Sequence, residues 1–188
     1  MLTNFQIEEL ADKMGIPLEA VCFKSSLKDM KLKYNRSYVI NLENEFDENG
    51  ERNEGSHWTC FQVDKYKNNS IQGIYFDSYN APPPTEVVDF VGSEIPYTKK
   101  NVQSLLNNAC GFFCMAFLHF INAFPQRSGD LYNDTEAFLS LFNDLDTSCD
   151  FKQNEFILKH FFRASDPTLR KPVPVDDDIN TETITQEG

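Results

Sequence analysis

Ala109-Cys110-Gly111-Phe112-Phe113-Cys114-Met115-Ala116-Phe117-Leu118-His119-Phe120-Ile121 is apolar on nearly every side when wound as a helix. A helix without a polar face has to be surrounded by protein, so a helix from Cys110 to about Ala123 is expected at the centre of the fold. Its richest run, Phe112 to Ile121, is far too short to cross a bilayer and has the length of a core helix. With 188 residues, 40% of them hydrophobic and 13% aromatic, the chain can enclose such a helix within one domain but cannot form two ordinary ones. Seventeen phenylalanines against one tryptophan supply bulk that needs no buried hydrogen-bond partner.

Upstream of this helix the patterns are mixed. Thr3 with Gln6 has capping-box spacing, Leu10 and Met14 follow at helical intervals, and Gly15 and Pro17 end the turn, which predicts a helix over Asn4–Met14. Ser37 to Leu42 alternates as a strand does, and Glu43 to Glu54 is a charged loop containing glycine. Two more strands, His57 to Lys65 and Ile71 to Tyr79, flank the polar segment Tyr66–Ser70 and are expected to form a hairpin. Such a hairpin would set His57 against Asp77 on the neighbouring strand, about 5 Å apart at Cβ. Ala81-Pro82-Pro83-Pro84 ends the strand pattern, Thr85 to Val91 suits a short helix, and a loop runs on to Lys100.

Downstream, Asn133 with Glu136 and Asp150 with Gln153 predict helices near 134–144 and 151–162. From Asp166 onward the chain is rich in Pro, Asp and Thr and carries six acids against two bases, so residues 166–188 are expected to be a disordered acidic tail on a domain spanning 1–165.

The net charge of −12 argues against broad affinity for nucleic acid, which depends on cations displacing counterions from phosphates. Lys24, Lys28, Lys31, Lys33 and Arg36 are the local exception, expected to be a solvated face. Five cysteines, an odd number, and a start without a basic then apolar leader point to a reducing compartment, with no membrane association and a monomer expected.

Chemistry concentrates on Cys110, at the expected start of the central helix. A thiolate there feels the positive end of the helix dipole. Lowering a thiol pKa from about 8.5 to about 3–4 takes on the order of 7 kcal/mol, more than a dipole supplies, so a cationic histidine is required. Of the three histidines, His119 lies nine residues along the same helix, about 900° of rotation and hence on the opposite side, and His160 belongs to a later helix. His57 remains, with Asp77 to orient its ring. Gln103, seven residues before the cysteine, would direct its amide at a developing oxyanion together with the backbone N–H of Cys110. Cys22, Cys60, Cys114 and Cys149 are read as small buried hydrophobes. Cys110, Cys114 and His119 do not share one face and lack a completing pair, so neither a metal nor any other cofactor is expected.

Gly55-Ser56-His57-Trp58, Tyr75-Phe76-Asp77-Ser78-Tyr79, Gln103 and Ala109-Cys110-Gly111-Phe112-Phe113-Cys114 together resemble the adenovirus-type maturation cysteine proteases, the adenain family, related to the proteases that process ubiquitin-like modifiers. Phe113–Phe120 with Phe124-Pro125-Gln126, and Leu158–Arg163, look like further family segments. The resemblance implies an α+β, papain-like fold in permuted chain order, with a central, mostly antiparallel sheet flanked by helices. It implies an endopeptidase cleaving viral capsid or core precursors after small residues such as glycine, in a channel where Trp58 and Gly111 contact substrate. It further implies work in the virion and in the host-cell cytoplasm, for a virophage of mavirus type or a Maverick-type element.

Two departures stand out. The acid is Asp77 where adenoviral enzymes carry glutamate, and Ser78 follows it in place of proline. The family's cysteine shortly before the glutamine is missing from Ser93–Val102, so an activating peptide would not be held by a disulfide there. A deconjugase for a ubiquitin-like modifier is the alternative enzyme, and a non-catalytic assembly protein the alternative outside catalysis.

Overall fold

The computed structural model describes residues 1–104, 107–123, 128–145 and 148–165. The acidic segment 166–188, and Phe124–Gln126 of the family resemblance, lie outside the described residues. The architecture is α+β: a four-stranded mixed sheet in the order β1-β2-β3-β4, flanked by helices. The strands are β1 (Leu18–Phe23), β2 (Arg36–Asn41), β3 (Trp58–Lys65) and β4 (Ile71–Phe76), and the helices are α1 (Asn4–Met14), α2 (Thr85–Val91), α3 (Cys110–Asn122), α4 (Leu131–Leu139) and α5 (Ser148–Ser165).

Local chemistry explains most boundaries. Thr3 and Gln6 form the reciprocal capping box that opens α1, and Gly15 closes it at φ 65°. Strand β1 and the 3-10 turn after it, Lys24–Asp29, were not expected from the sequence. β1 is only half-buried along most of its length and pairs parallel to β2 at the sheet edge, so it lacks the clean alternation of a one-sided strand. Helix α4 begins three residues before the expected start because Asp130, rather than Asn133, caps it by accepting from the N–H groups of Tyr132 and Asn133.

The two sheet faces bury different partners. On one, Val39, Trp58, Cys60, Ile74 and Phe76 pack with α1, α3, α4 and α5 around a phenylalanine cluster. Phe76 stacks on Phe117 at 4.6 Å and meets Phe138 edge-on at 5.8 Å. The opposite face, with Tyr38, Ile40, Phe61, Val63 and Tyr75, is covered by Leu27, Val87 and Ile95. Helix α3 is central as expected, with nine of its thirteen residues buried.

Candidate active site

Register decides what meets at the end of the β3–β4 hairpin. Asp77 was expected opposite His57, but the ladder pairs Cys60 with Phe76, Phe61 with Tyr75 and so on down to Lys65 with Ile71. Continued upward, that register sets Thr59 against Asp77 and His57 against Tyr79. The shift of two residues keeps every side chain on its face, so His57 still reaches Asp77 diagonally. Its Nε2 lies 2.8 Å from Asp77 Oδ1, and its ring stacks on that of Tyr79 with centroids 4.6 Å apart.

The loop before His57 is held from β2. Asn41 Oδ1 accepts from the N–H groups of Glu43 and Ser56. Gly55, at φ 84°, passes so close to Asn41 that a Cβ would lie 2.3 Å from its Nδ2. Only glycine tolerates both that conformation and that approach.

Cys110 opens α3 after Ala109, whose N–H is taken by Asn107 Oδ1 at 3.1 Å. Cys110 is 3% exposed, and its sulfur accepts the backbone N–H of Trp58 at 3.5 Å. Burial alone would raise the thiol pKa, yet hydrogen bonds from the His57 imidazole and from the N–H groups of Trp58 and Gly111, with the charge of His57, hold it below its ordinary value. For His57, burial pushes the other way, towards the neutral ring. The hydrogen bonds and charges of Asp77 and Cys110 overcome this and hold the imidazole pKa up at about 9. Both shifts favour the thiolate–imidazolium pair. With Nε2 on Asp77, Nδ1 is the nitrogen left for the sulfur.

Asp77 is 1% exposed, and the same Oδ1 also accepts the N–H of Tyr79 at 2.8 Å. This closes an Asx turn that continues through Asn80, at φ 68°, whose N–H bonds the Asp77 carbonyl. The carboxylate is therefore oriented by its own turn as well as by the histidine.

Gln103 is also buried, at 1% exposure, and every polar atom of its amide is engaged. Its Oε1 accepts from Ser78 Oγ at 2.7 Å, while its Nε2 donates to Tyr79 Oη at 3.0 Å and to the Asn107 carbonyl at 2.8 Å. Tyr79, which contributes to both the base and the amide, was not singled out from the sequence, and Ser78, which holds the amide, was noted there only for standing in place of a proline. Two-residue periodicity in a strand could have flagged Tyr79, which shares the face of Asp77.

Trp58 and Gly111, the expected substrate contacts, lie beneath the N-terminal segment. Trp58 is 3% exposed and donates its indole N–H to the Leu2 carbonyl at 2.8 Å. A Cβ on Gly111 would meet Leu2 Cδ1 at 3.2 Å and Trp58 Cδ1 at 3.4 Å. Leu2 also lines an apolar groove of about 750 Å³ that runs from Asn107–Ala109 between α1 and α5, with Leu10, Phe112, Leu158 and Phe162 along its walls.

The other histidines are elsewhere. His119 packs edge-on against Phe161, with burial lowering its pKa, and His160 is exposed on α5. Cys22 and Cys114 carry thiol pKa values raised by burial, and nothing is described of the Cys149 side chain. In the cationic cluster, Lys24 pairs with Glu86, and Lys33 and Arg36 with Glu19. Among the described residues, no three His, Cys, Asp or Glu side chains gather as a metal ion would need, and no helix is long and apolar enough to cross a membrane. No family model matches this chain, and no curated protein matches it.

Proposed function

We propose that the protein is a cysteine endopeptidase of adenain type, working through Cys110, His57, Asp77 and Gln103. The observation that carries this reading is the convergence of three side chains from distant parts of the sequence. A sulfur at a helix start lies beside an imidazole that lowers its pKa, and the Nε2 of that imidazole is held 2.8 Å from a buried carboxylate. Catalysis by a thiol needs an ionised sulfur, a cation to stabilise it and a proton to return to the leaving amine, and this arrangement supplies all three.

In the proposed reaction the Cys110 thiolate attacks the scissile carbonyl, and the His57 imidazolium protonates the departing amine as the acyl-enzyme forms. His57, now neutral, takes a proton from water as that water attacks the thioester, and the free thiolate and carboxylic acid result. Asp77 keeps the ring oriented through both steps. The tetrahedral oxyanion is received by the Cys110 backbone N–H and by Gln103 Nε2. Since both N–H bonds of that amide are occupied at rest, the oxyanion takes the place of Tyr79 Oη, trading a neutral hydrogen bond for a charge-assisted one about twice as strong. The gain arises only as charge develops, as catalysis requires.

The finer fold assignment, papain-like in permuted order, belongs to the same proposal. It is supported by the order His57, Asp77, Gln103, Cys110 and by a nucleophile opening a buried helix packed against an antiparallel hairpin. Substrates would be viral capsid or core precursors, cut after small residues in the virion or the host-cell cytoplasm. Trp58 and Gly111 would contact them once Leu2 is displaced.

The test is incubation with capsid and core precursors and, separately, with fusions to ubiquitin-like modifiers. Cleavage of the precursors that is lost in Cys110→Ala supports the proposal. Cleavage of the modifier fusions alone would transfer the site to a deconjugase, and no cleavage of either would leave a non-catalytic assembly protein.

A further inference from the structure

Three consecutive residues, Asp77-Ser78-Tyr79, hold both halves of the proposed site. Asp77 carries the imidazole, and Tyr79 stacks on that ring while accepting from the Gln103 amide. Ser78, between them, grips Gln103 at two points and Val102 at a third: its carbonyl accepts the N–H groups of Val102 at 2.9 Å and Gln103 at 3.2 Å, and its hydroxyl donates to Gln103 Oε1 at 2.7 Å.

A side-chain amide has an ambiguous polarity that only its neighbours resolve. Here the Asn107 carbonyl, which can only accept, marks one end as nitrogen, and the Ser78 hydroxyl satisfies the other end as oxygen. Ser78 is fully buried, so no water substitutes for its hydroxyl. Without that donor Oε1 would be an unpaired buried acceptor, and the amide would lose the anchor that fixes its torsion. A turn about that torsion would carry Nε2 away from the place where the oxyanion forms.

We propose that Ser78 is a positioning residue of the peptidase proposed above: its hydroxyl anchors Gln103 Oε1 and fixes the torsion of the amide whose polarity the Asn107 carbonyl sets, and its backbone fixes the spacing between the oxyanion donor and the acid that orients the base. The inference rests on that peptidase reading, and it gives a function to the residue standing where the related enzymes have proline, which has no hydroxyl to donate.

The experiment is a double-mutant cycle on Ser78→Ala and Gln103→Ala, with thermal midpoints recorded alongside. Ser78→Ala alone is expected to lower kcat about 10-fold with KM within about twofold, the scale of a displaced catalytic group. In the Gln103→Ala background it is expected to change kcat by less than about twofold, because the group it positions is gone. An equal loss in both backgrounds, or a loss carried by KM, would overturn the proposal.

A second arm needs no turnover. The Gln103 side-chain NH2 resonances, assigned by their absence in Gln103→Ala, are expected to be dispersed and slow to exchange, and to collapse towards free-amide positions in Ser78→Ala. Unchanged resonances would overturn the positioning role even if the protein proved to be no peptidase. Conversely, collapsed resonances in a protein that cleaves nothing would uphold the hydrogen-bond role and reject only the activity.

Discussion

The first two turns of α3 place two sulfurs in opposite surroundings, and one residue touches both. Trp58 gives its backbone N–H to Cys110 at 3.5 Å, while its carbonyl accepts from the Cys114 thiol at 3.4 Å. A donor stabilises a thiolate and an acceptor stabilises a thiol, so the two groups are driven apart. Larger effects act in the same directions: complete burial beside Cys60 raises the Cys114 pKa well above its ordinary value, and the His57 hydrogen bond and charge outweigh burial to lower that of Cys110. The lesson is that a helix dipole or an apolar helix does not by itself activate a cysteine. What separates them is access to a cation and to unspent N–H groups.

Alanine substitutions break the comparison most sharply. Cys110→Ala is expected to reduce peptide cleavage by about 10⁴-fold or more, as loss of a nucleophile does. Cys114→Ala should leave cleavage within a few-fold and show its effect in denaturant unfolding, where the small cavity costs on the order of 1–2 kcal/mol. Next in size, Gln103→Ala is expected to lower kcat about 10² to 10³-fold without changing how readily the Cys110 thiol ionises, because the amide serves the oxyanion and not the sulfur. Steady-state kinetics with a thiol titration separates these effects.

Smaller effects sharpen the electrostatics. At pH 6, iodoacetamide should modify Cys110 at least about 10-fold faster than any other cysteine, read by peptide mass mapping, because only a lowered pKa leaves thiolate there. His57→Ala should remove that advantage. For the imidazole, the folded pKa of about 9 lies above the ordinary 6.5, so its protonated form stabilises the fold fully below pH 6.5 and this contribution fades as pH rises through about 9. The basic limb of kcat/KM is accordingly expected near pH 9, and in Asp77→Asn, which removes a charge that raises the imidazole, it should move to lower pH.

Much of the fold was legible because local rules decided it. The capping box of α1 and the short α2 between a triple proline and Gly92 follow from residues within a few positions of the boundary, and the start of α3 at Cys110 from the apolar run that follows it. Strand β1 was not legible: Leu18–Phe23 is a strand by virtue of its parallel pairing with β2, a partner more than a dozen residues away. The site divides in the same way. Cys110, His57, Asp77 and Gln103 could be named as candidates from residue type and spacing, whereas Ser78 and Tyr79 read as the last residues of an expected strand that in fact ends at Phe76.

What the sequence determined by itself was which residues are chemically capable and which segments are helical or extended, because propensity, capping and apolar period act over a few residues. Only the tertiary structure decided the two-residue register that stacks His57 on Tyr79, the placing of Leu2 over Trp58 and Gly111, and the sharing of Trp58 between two sulfurs. These depend on contacts between residues as many as 56 positions apart. They form only when the whole core closes, since the cost of bringing such segments together is met by burial spread across the sheet and its helices.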